Sequence, residues 1–543
     1  MRGGSPNRCH VLRVGFEVAM MPISPHSIQL RKDITSKMSV HSQSQPTNQP
    51  TEPPRPEDDF VTTIHELQLP SGVLRYRAQA GRMVVGSEVV EDGVFKGLVP
   101  KAQIFLTTYT AIAEGSEDAQ IVQRPVVFVF NGGPGSSSAW MHIGLFGPRR
   151  VVANDVDDRT APPYGLVDNL ETTLAYADLV FVDPVTTGFS RTAEGEKPEK
   201  FHGFTGDRDV VGEAIRLWLS RNDRWISPKF LAGESYGTTR AAALAGYLAK
   251  RHGIAFNGLL LISAVLDFAT IDFTEGNEAP YVHYLPTFAA VAHYHGKHPG
   301  ADLEEVVAEA TEFAYGEYQR ALIQGHRLDD SDHKKVAARL SEIIGIDEET
   351  LRLADLRIDE FTFFTELLRD QKLRIGRLDS RFTAHPGKLA SEVLGDDPSY
   401  PAIQYPYTVG INHLLRAELG YKSDLTYEVL TSRVHPWSYK EFENSPVNTA
   451  EDLAFAMRMN PHLKIYVAFG YHDSATPFAA SEHVLAHLRI DAESRAQIVR
   501  RYYPAGHMMY VDQQVRVDQL RDIADFLQWA VGSRDQPESN QPV

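Results

Sequence analysis

Gly233-Glu234-Ser235-Tyr236-Gly237 constrains this chain more than any other stretch. The apolar run Phe230-Leu231-Ala232 precedes it, and the run from Thr238 to Ala245, which reads as a helix, follows. Strand, sharp turn and helix in that order form the setting in which a Gly-x-Ser-x-Gly match carries meaning. Glycine at both ends lets the backbone pass close to its neighbours and take up strained dihedrals. The serine hydroxyl is then held out of the sheet, at the mouth of a helix. Serine is a weak nucleophile at its free pKa and needs a base to take its proton. The motif therefore predicts a histidine, and an acid behind it, further along the chain.

Both follow in order. Ile465-Tyr466-Val467-Ala468-Phe469 reads as a buried strand and runs into Gly470-Tyr471-His472-Asp473. The next strand-like run, Ile498 to Tyr503, leads into Pro504-Ala505-Gly506-His507. Ser235, Asp473, His507 is the chain order of an α/β-hydrolase triad. In that scheme His507 takes the proton of Ser235, and Asp473 fixes the imidazole tautomer and stabilises its cation. Upstream, the buried-strand run Pro125 to Phe130 opens into Asn131-Gly132-Gly133-Pro134-Gly135-Ser136-Ser137. A turn so rich in glycine leaves N–H groups bare above the sheet, as an oxyanion hole requires. The second donor in this fold is the N–H after the nucleophile, here Tyr236. His472 sits beside Asp473, but sequence neighbours on a loop rarely point the same way. His252, His483, His487 and the group His293, His295, His298 read as solvated or helix-face residues. No carboxylate or cysteine completes a metal site with that last group, so no metal is expected.

These segments, with Asp183-Pro184-Val185, Gly188-Phe189-Ser190 and Gly506-His507-Met508-Met509, resemble the serine carboxypeptidases, peptidase family S10. The likeness runs from Asp59 to Gln528 and weakens between Ile271 and Trp437. The resemblance implies Ser235 as nucleophile, His507 as base, Asp473 as its orienter, and Gly133 and Tyr236 as oxyanion donors. It also implies that Asn131 and Glu234 hydrogen-bond the substrate's C-terminal carboxylate, that Asp183 is structural, and that no cofactor is needed. One position departs from the pattern. The family's carboxypeptidases place a second glutamate ten residues past the Gly-Pro-Gly turn, sharing a proton with the glutamate before the nucleophile. Here that position is Leu145. Two carboxyls that share a proton recognise a carboxylate best at acid pH, so Leu145 is expected to move activity toward neutral pH. Arg240 is one conceivable substitute receptor; pairing with an acid on the surface of its own helix is the plainer expectation.

The 543 residues suffice for one large hydrolase domain with an insertion. A formal net charge of −17 argues against nucleic acid as a partner. The single cysteine, Cys9, allows no intrachain disulfide, unlike the family's usual secreted and vacuolar members, and fits a disulfide-free, bacterial-type one. That permits a reducing compartment. Val11 to Met21 is broken by Arg13 and Glu17, too short a run for an export signal. A cytoplasmic location is therefore expected. No run is long enough to span a membrane, and translation starting at Met38 is one reading of the N-terminus. The family includes dimers, so a homodimer is an open expectation.

Organisation follows from the apolar runs. Residues 1–58 read as a disordered extension and 533–543 as a flexible tail. Residues 59–270 and 438–532 read as two parts of one core, an α/β-hydrolase fold with a mostly parallel sheet and helices on both faces. Between them, 271–437 turns charged, amphipathic and helical in period, which reads as an inserted cap overhanging the site. Its Tyr281, Tyr284, Phe288 and Tyr294 are expected mainly to pack the cap rather than line a pocket. The resulting expectation is a serine-type carboxypeptidase acting on peptides, with an esterase or acyltransferase on the same triad as the alternative. A binding protein with a silent triad is the third.

Overall fold

A computed structural model describes residues 56–116, 123–152, 156, 161–385 and 397–540. Cys9, Met38 and all but the last three residues of the N-terminal extension lie outside them. Asp58, which the sequence assigns to that extension, is anchored: its carboxylate accepts from Val84 N at 2.8 Å and from Arg221 at 2.7 Å.

Among the described residues, ten strands form one sheet. Nine are β1 (Val61–Leu69), β2 (Gly72–Glu91), β3 (Val94–Ala111), β4 (Val126–Phe130), β5 (Asp178–Val182), β6 (Lys229–Glu234), β7 (Gly258–Ile262), β8 (Lys464–Gly470) and β9 (Ile498–Tyr503). Their spatial order is β1-β2-β3-β5-β4-β6-β7-β8-β9, and the short strand Arg191–Thr192 pairs with β3. The first three strands run antiparallel, and the six from β5 to β9 run parallel. β4, β5 and β7 are buried along their whole length. That is why 126–130, 179–182 and 259–262 are unbroken apolar runs: a parallel strand covered on both faces has no polar side, and the one charge, Asp178 at the start of β5, is paired with Arg224.

One core face packs Val127 and Val129 against α7 (Gln513–Ala530); the other packs Phe128 and Phe130 against α1 (Phe204–Arg221) and α2 (Tyr236–His252). The topology is that of an α/β hydrolase. Three helices of the insertion, α3 (Ala279–Tyr294), α4 (Leu303–Phe313) and α5 (Asp330–Ile344), share a separate apolar core in which Phe288 stacks on Phe363. Asp302 and Asp329 cap α4 and α5 by accepting from the first free N–H groups. The sequence reads Asp302 to Gln324 as one helix, yet a π-helical turn at Ala314–Tyr318 interrupts it.

The insertion also divides more finely than its periodicity suggests. Helix α6 (Tyr400–His413) and the residues after it send Tyr407, Ile411, Leu414, Tyr421 and Tyr427 into the core beside the sheet, not into the cap's own core. The β2–β3 hairpin is long because pairing continues past bulges near Val85 and Glu88. The C-terminal tail is held as far as it is described. β9 is an edge strand with open N–H and C=O groups, and Asn540 takes up both of those of Tyr502, at 3.0 and 3.2 Å.

Candidate active site

The C-terminal ends of β4, β6, β8 and β9 deliver the site residues to one edge of the sheet, where open α/β sheets place their ligands. Ser235 joins β6 to α2 with φ 59° and ψ −130°. A non-glycine residue with positive φ is strained, and strain of this kind persists only where the surroundings enforce it. They do. A Cβ on Gly233 would lie 2.1 Å from the Gly237 carbonyl oxygen, and one on Gly237 would lie 2.8 Å from that of Phe130. The turn is too tight for a side chain at either flank, and Ser235 is left partly exposed while its neighbours are buried.

His507 and Asp473 meet directly, with Nδ1 and Oδ2 2.8 Å apart. Asp473 is held by three more donors. Oδ1 accepts from Ala475 N at 2.8 Å and Thr476 N at 3.0 Å, and Oδ2 accepts from Thr476 Oγ1 at 2.7 Å. A carboxylate beside Nδ1 assigns the ring proton there and leaves Nε2 as the basic nitrogen. Burial opposes a charge on His507, but Asp473 outweighs it and raises the imidazole above its ordinary value. Two adjacent residues of one strand end tie His507 to Ser235: Ile262 O accepts from Ser235 N at 3.0 Å, and Ser263 Oγ donates to His507 O at 2.6 Å. From the insertion, Leu378 O accepts from His507 N at 2.7 Å, and Ser380 N donates to His472 O at 3.1 Å. The insertion thus pins both loops.

Thr476 is a site residue that sequence reasoning passed over; an Asp-x-x-Thr spacing after a strand is its only local signal. Thr476→Val removes a charge-assisted hydrogen bond, worth about 1.5–3 kcal/mol. The expected result is a kcat about tenfold lower with KM little changed. Unchanged kcat would show that the two N–H donors suffice.

The glycine-rich turn lies against the Ser235–Tyr236 elbow. A Cβ on Gly132 would fall 2.5 Å from Tyr236 N, and Gly133 has φ 100°. Tyr236 N–H opens α2, where the first donors have no partner within the helix. Asn131 and Glu234 are also together: Asn131 Nδ2 donates to Glu234 Oε1 at 2.8 Å, and Tyr510 Oη lies 2.6 Å from Oε2. Burial pushes the Glu234 carboxyl up to about 7, partly offset by His507, Tyr510 and Asn131. Tyr510 was not legible from sequence.

Three other residues singled out by the sequence have other partners. Leu145 is wholly buried in the turn His142–Phe146 and offers only its carbonyl, to Asn169. Arg240 is buried rather than on a helix surface. It binds Asp207 of α1 at 2.6 Å and the Asn131 carbonyl at 2.6 Å, so it is not free to receive a substrate. Asp183 accepts from both N and Oγ of Ser138, at 2.8 and 2.7 Å.

The histidines also find structural partners. His293, His295 and His298 each direct Nε2 to a backbone carbonyl, of Ala301, Ser380 and Ile343. His483 lies between the tilted rings of His283 and His487, and His472 is buried with its ring against Tyr294. Among the described residues, no group of three His, Cys, Asp or Glu could hold a metal ion, and no helix is long and apolar enough to cross a membrane.

Comparison with solved structures returns loose matches. A proline iminopeptidase of Mycobacterium smegmatis is 12% identical, covering 82% of this chain and 98% of that one, with a TM-score of 0.34. A peroxisomal α/β-hydrolase of Saccharomyces cerevisiae is 11% identical, covering 90% and 93%, with a TM-score of 0.32. Carboxyl esterase 2 of Tuber melanosporum is 12% identical, covering 89% of each chain, with a TM-score of 0.30. Superpositions this loose do not bear on the reaction. None of the curated proteins matches the chain. The family model for serine carboxypeptidase matches residues 109–516, from the end of β3 into α7. That span takes in the glycine-rich turn, the serine elbow and both loops that carry Asp473 and His507, and the chain belongs to the serine carboxypeptidase family.

Proposed function

We propose that this serine hydrolase is a carboxypeptidase that releases the C-terminal residue of a peptide through an acyl-enzyme on Ser235. The observation that carries the reading is the placement of a buried, protonatable Glu234 beside the nucleophile, at the sheet end that also carries the His507–Asp473 pair. Ser235 Oγ attacks the last peptide carbonyl, and His507 Nε2 takes its proton. The oxyanion forms against Gly133 N–H and Tyr236 N–H. His507 then passes the proton to the leaving amine, the C–N bond breaks, and the freed amino acid departs. Water attacks the acyl-enzyme with His507 again as base. Asp473 orients the ring, and Asn131 with Glu234 faces the substrate's carboxylate.

A second reading, an esterase or acyltransferase on the same triad, is favoured by one observation. Leu145 leaves Glu234 without a carboxyl partner, and both Glu234 oxygens already have donors. A blocked dipeptide with a free C-terminus and its C-terminal amide, assayed with Ser235→Ala as control, separate the two. Ser235-dependent cleavage of the free acid in strong preference to the amide is expected. Equal cleavage of both, or turnover of esters alone, would favour the second reading.

A further inference from the structure

Glu234 is buried, about 2% exposed, and the direction of one of its two hydrogen bonds is determined. Asn131 cannot reverse its amide, because its Oδ1 accepts from Met141 N at 3.1 Å while Nδ2 donates to Glu234 Oε1 at 2.8 Å. Oε1 is therefore always an acceptor. When Glu234 holds a proton, that proton sits on Oε2, 2.6 Å from the Tyr510 oxygen. The bond between them then has two polarities. With Glu234 ionised, the Tyr510 hydroxyl donates to Oε2. With Glu234 protonated, Oε2–H donates to the Tyr510 oxygen, and the phenol's own hydrogen is released to another acceptor.

We propose that Tyr510 is a specificity-determining residue whose hydrogen, released only when Glu234 is protonated, receives the free C-terminal carboxylate of the peptide. The proposal rests on the carboxypeptidase reading above. The surroundings fit it. The Tyr510 ring is pressed onto Gly144: a Cβ there would lie 2.6 Å from Tyr510 Cε2 and 2.6 Å from the Tyr407 hydroxyl. Gly144 adjoins Leu145, so this turn offers Glu234 no carboxyl, and its glycine leaves room for Tyr510 to bring a phenol there from the C-terminal loop. Burial and the neighbouring Glu234 push the Tyr510 hydroxyl well above its ordinary value, so it keeps its proton wherever Glu234 titrates. The other ionisable groups facing Glu234 are His507 from the C-terminal loop, Asp473 from the β8 loop and Tyr407 from α6.

The sign follows. Free-acid turnover should fall as pH rises through about 7, where Glu234 ionises and recaptures the Tyr510 hydrogen. Turnover of the C-terminal amide should lack that limb, since an uncharged terminus gains less from the released donor. The test is kcat/KM from about pH 5 to about pH 9 for both substrates, in the wild type and Tyr510→Phe. The variant should lower the preference for free acid over amide by about tenfold or more, the size of one hydrogen bond to a charged group. The loss should be mainly in KM, and the alkaline limb should go. A preference that is unchanged, or equal losses on both substrates, overturns the proposal.

A second measurement needs no substrate. Infrared difference spectra, with Glu234→Gln assigning the band, should show the Glu234 carboxyl titrating higher in Tyr510→Phe, because burial loses one of its offsets. A titration that does not move would also overturn the proposal. Wild-type indifference to the terminal carboxylate sinks the carboxypeptidase reading instead, and the infrared titration then decides alone whether Tyr510 holds the Glu234 proton.

Discussion

Ser235→Ala is expected to reduce kcat roughly a million-fold, and His507→Ala by as much, with the double variant no worse than either. Residues that act as one unit fail together: without Oγ there is no nucleophile for His507 to activate, and without Nε2 there is no base for Oγ. Asp473→Asn should cost about ten-thousand-fold with the fold intact, because an amide facing Nδ1 favours the wrong tautomer. The loss is structurally specific. Ala475 N, Thr476 N and Thr476 Oγ1 all donate to Asp473, and an asparagine would have to turn its NH2 toward one of them or toward His507. Steady-state assays on the free-acid dipeptide measure the losses. Organophosphonate labelling, read by intact mass, reports the nucleophile separately. Wild-type protein that takes no label would revive the silent binding protein, and Ser235→Ala that keeps its activity would remove Ser235 from the mechanism.

Arg240→Met is expected to destabilise the fold by about 3–5 kcal/mol, the usual consequence of removing one partner of a buried ion pair. Arg240 and Asp207 are each about 2% exposed, and the guanidinium also lies over the rings of Phe130 and Tyr236. Burial raises Asp207 above its ordinary value, and Arg240 is what opposes that. Without Arg240 the folded-state value rises further. The unfolded variant then loses its proton at lower pH than the folded one, so the variant's stability falls as pH rises above the unfolded carboxylate value. The deficit should therefore be smaller at acid pH, where a protonated Asp207 needs no counter-charge. Urea unfolding at two pH values measures this, and a deficit independent of pH would mean that lost packing dominates. The double variant Arg240→Met with Asp207→Leu should recover most of the stability. Activity should not recover with it, since Arg240 also holds the Asn131 carbonyl behind the glycine-rich turn.

The sequence determined this protein wherever a function imposes a backbone that only certain residues tolerate. A serine held at φ 59° in so tight a turn needs glycines on both sides, so Gly233 and Gly237 announce Ser235 before any contact is known. Parallel strands buried on two faces are apolar along most of their length, so β4, β5 and β7 are readable as runs, and Asp473 and His507 stand on the loops that follow two later strands. The tertiary structure decided what depends on partners distant along the chain. Tyr510 and Glu234 are 276 residues apart, and Arg240 and the Asn131 carbonyl 109. Nothing in the local pattern around Tyr510 or Arg240 distinguishes a buried, partnered side chain from an exposed one. The bulges that let the β2–β3 hairpin continue and the π-helical turn after α4 are likewise absent from the hydrophobic pattern. A strained turn writes its requirement into adjacent residues, whereas a hydrogen bond or ion pair across the fold asks only that two side chains arrive at one place, and the fold alone brings them there.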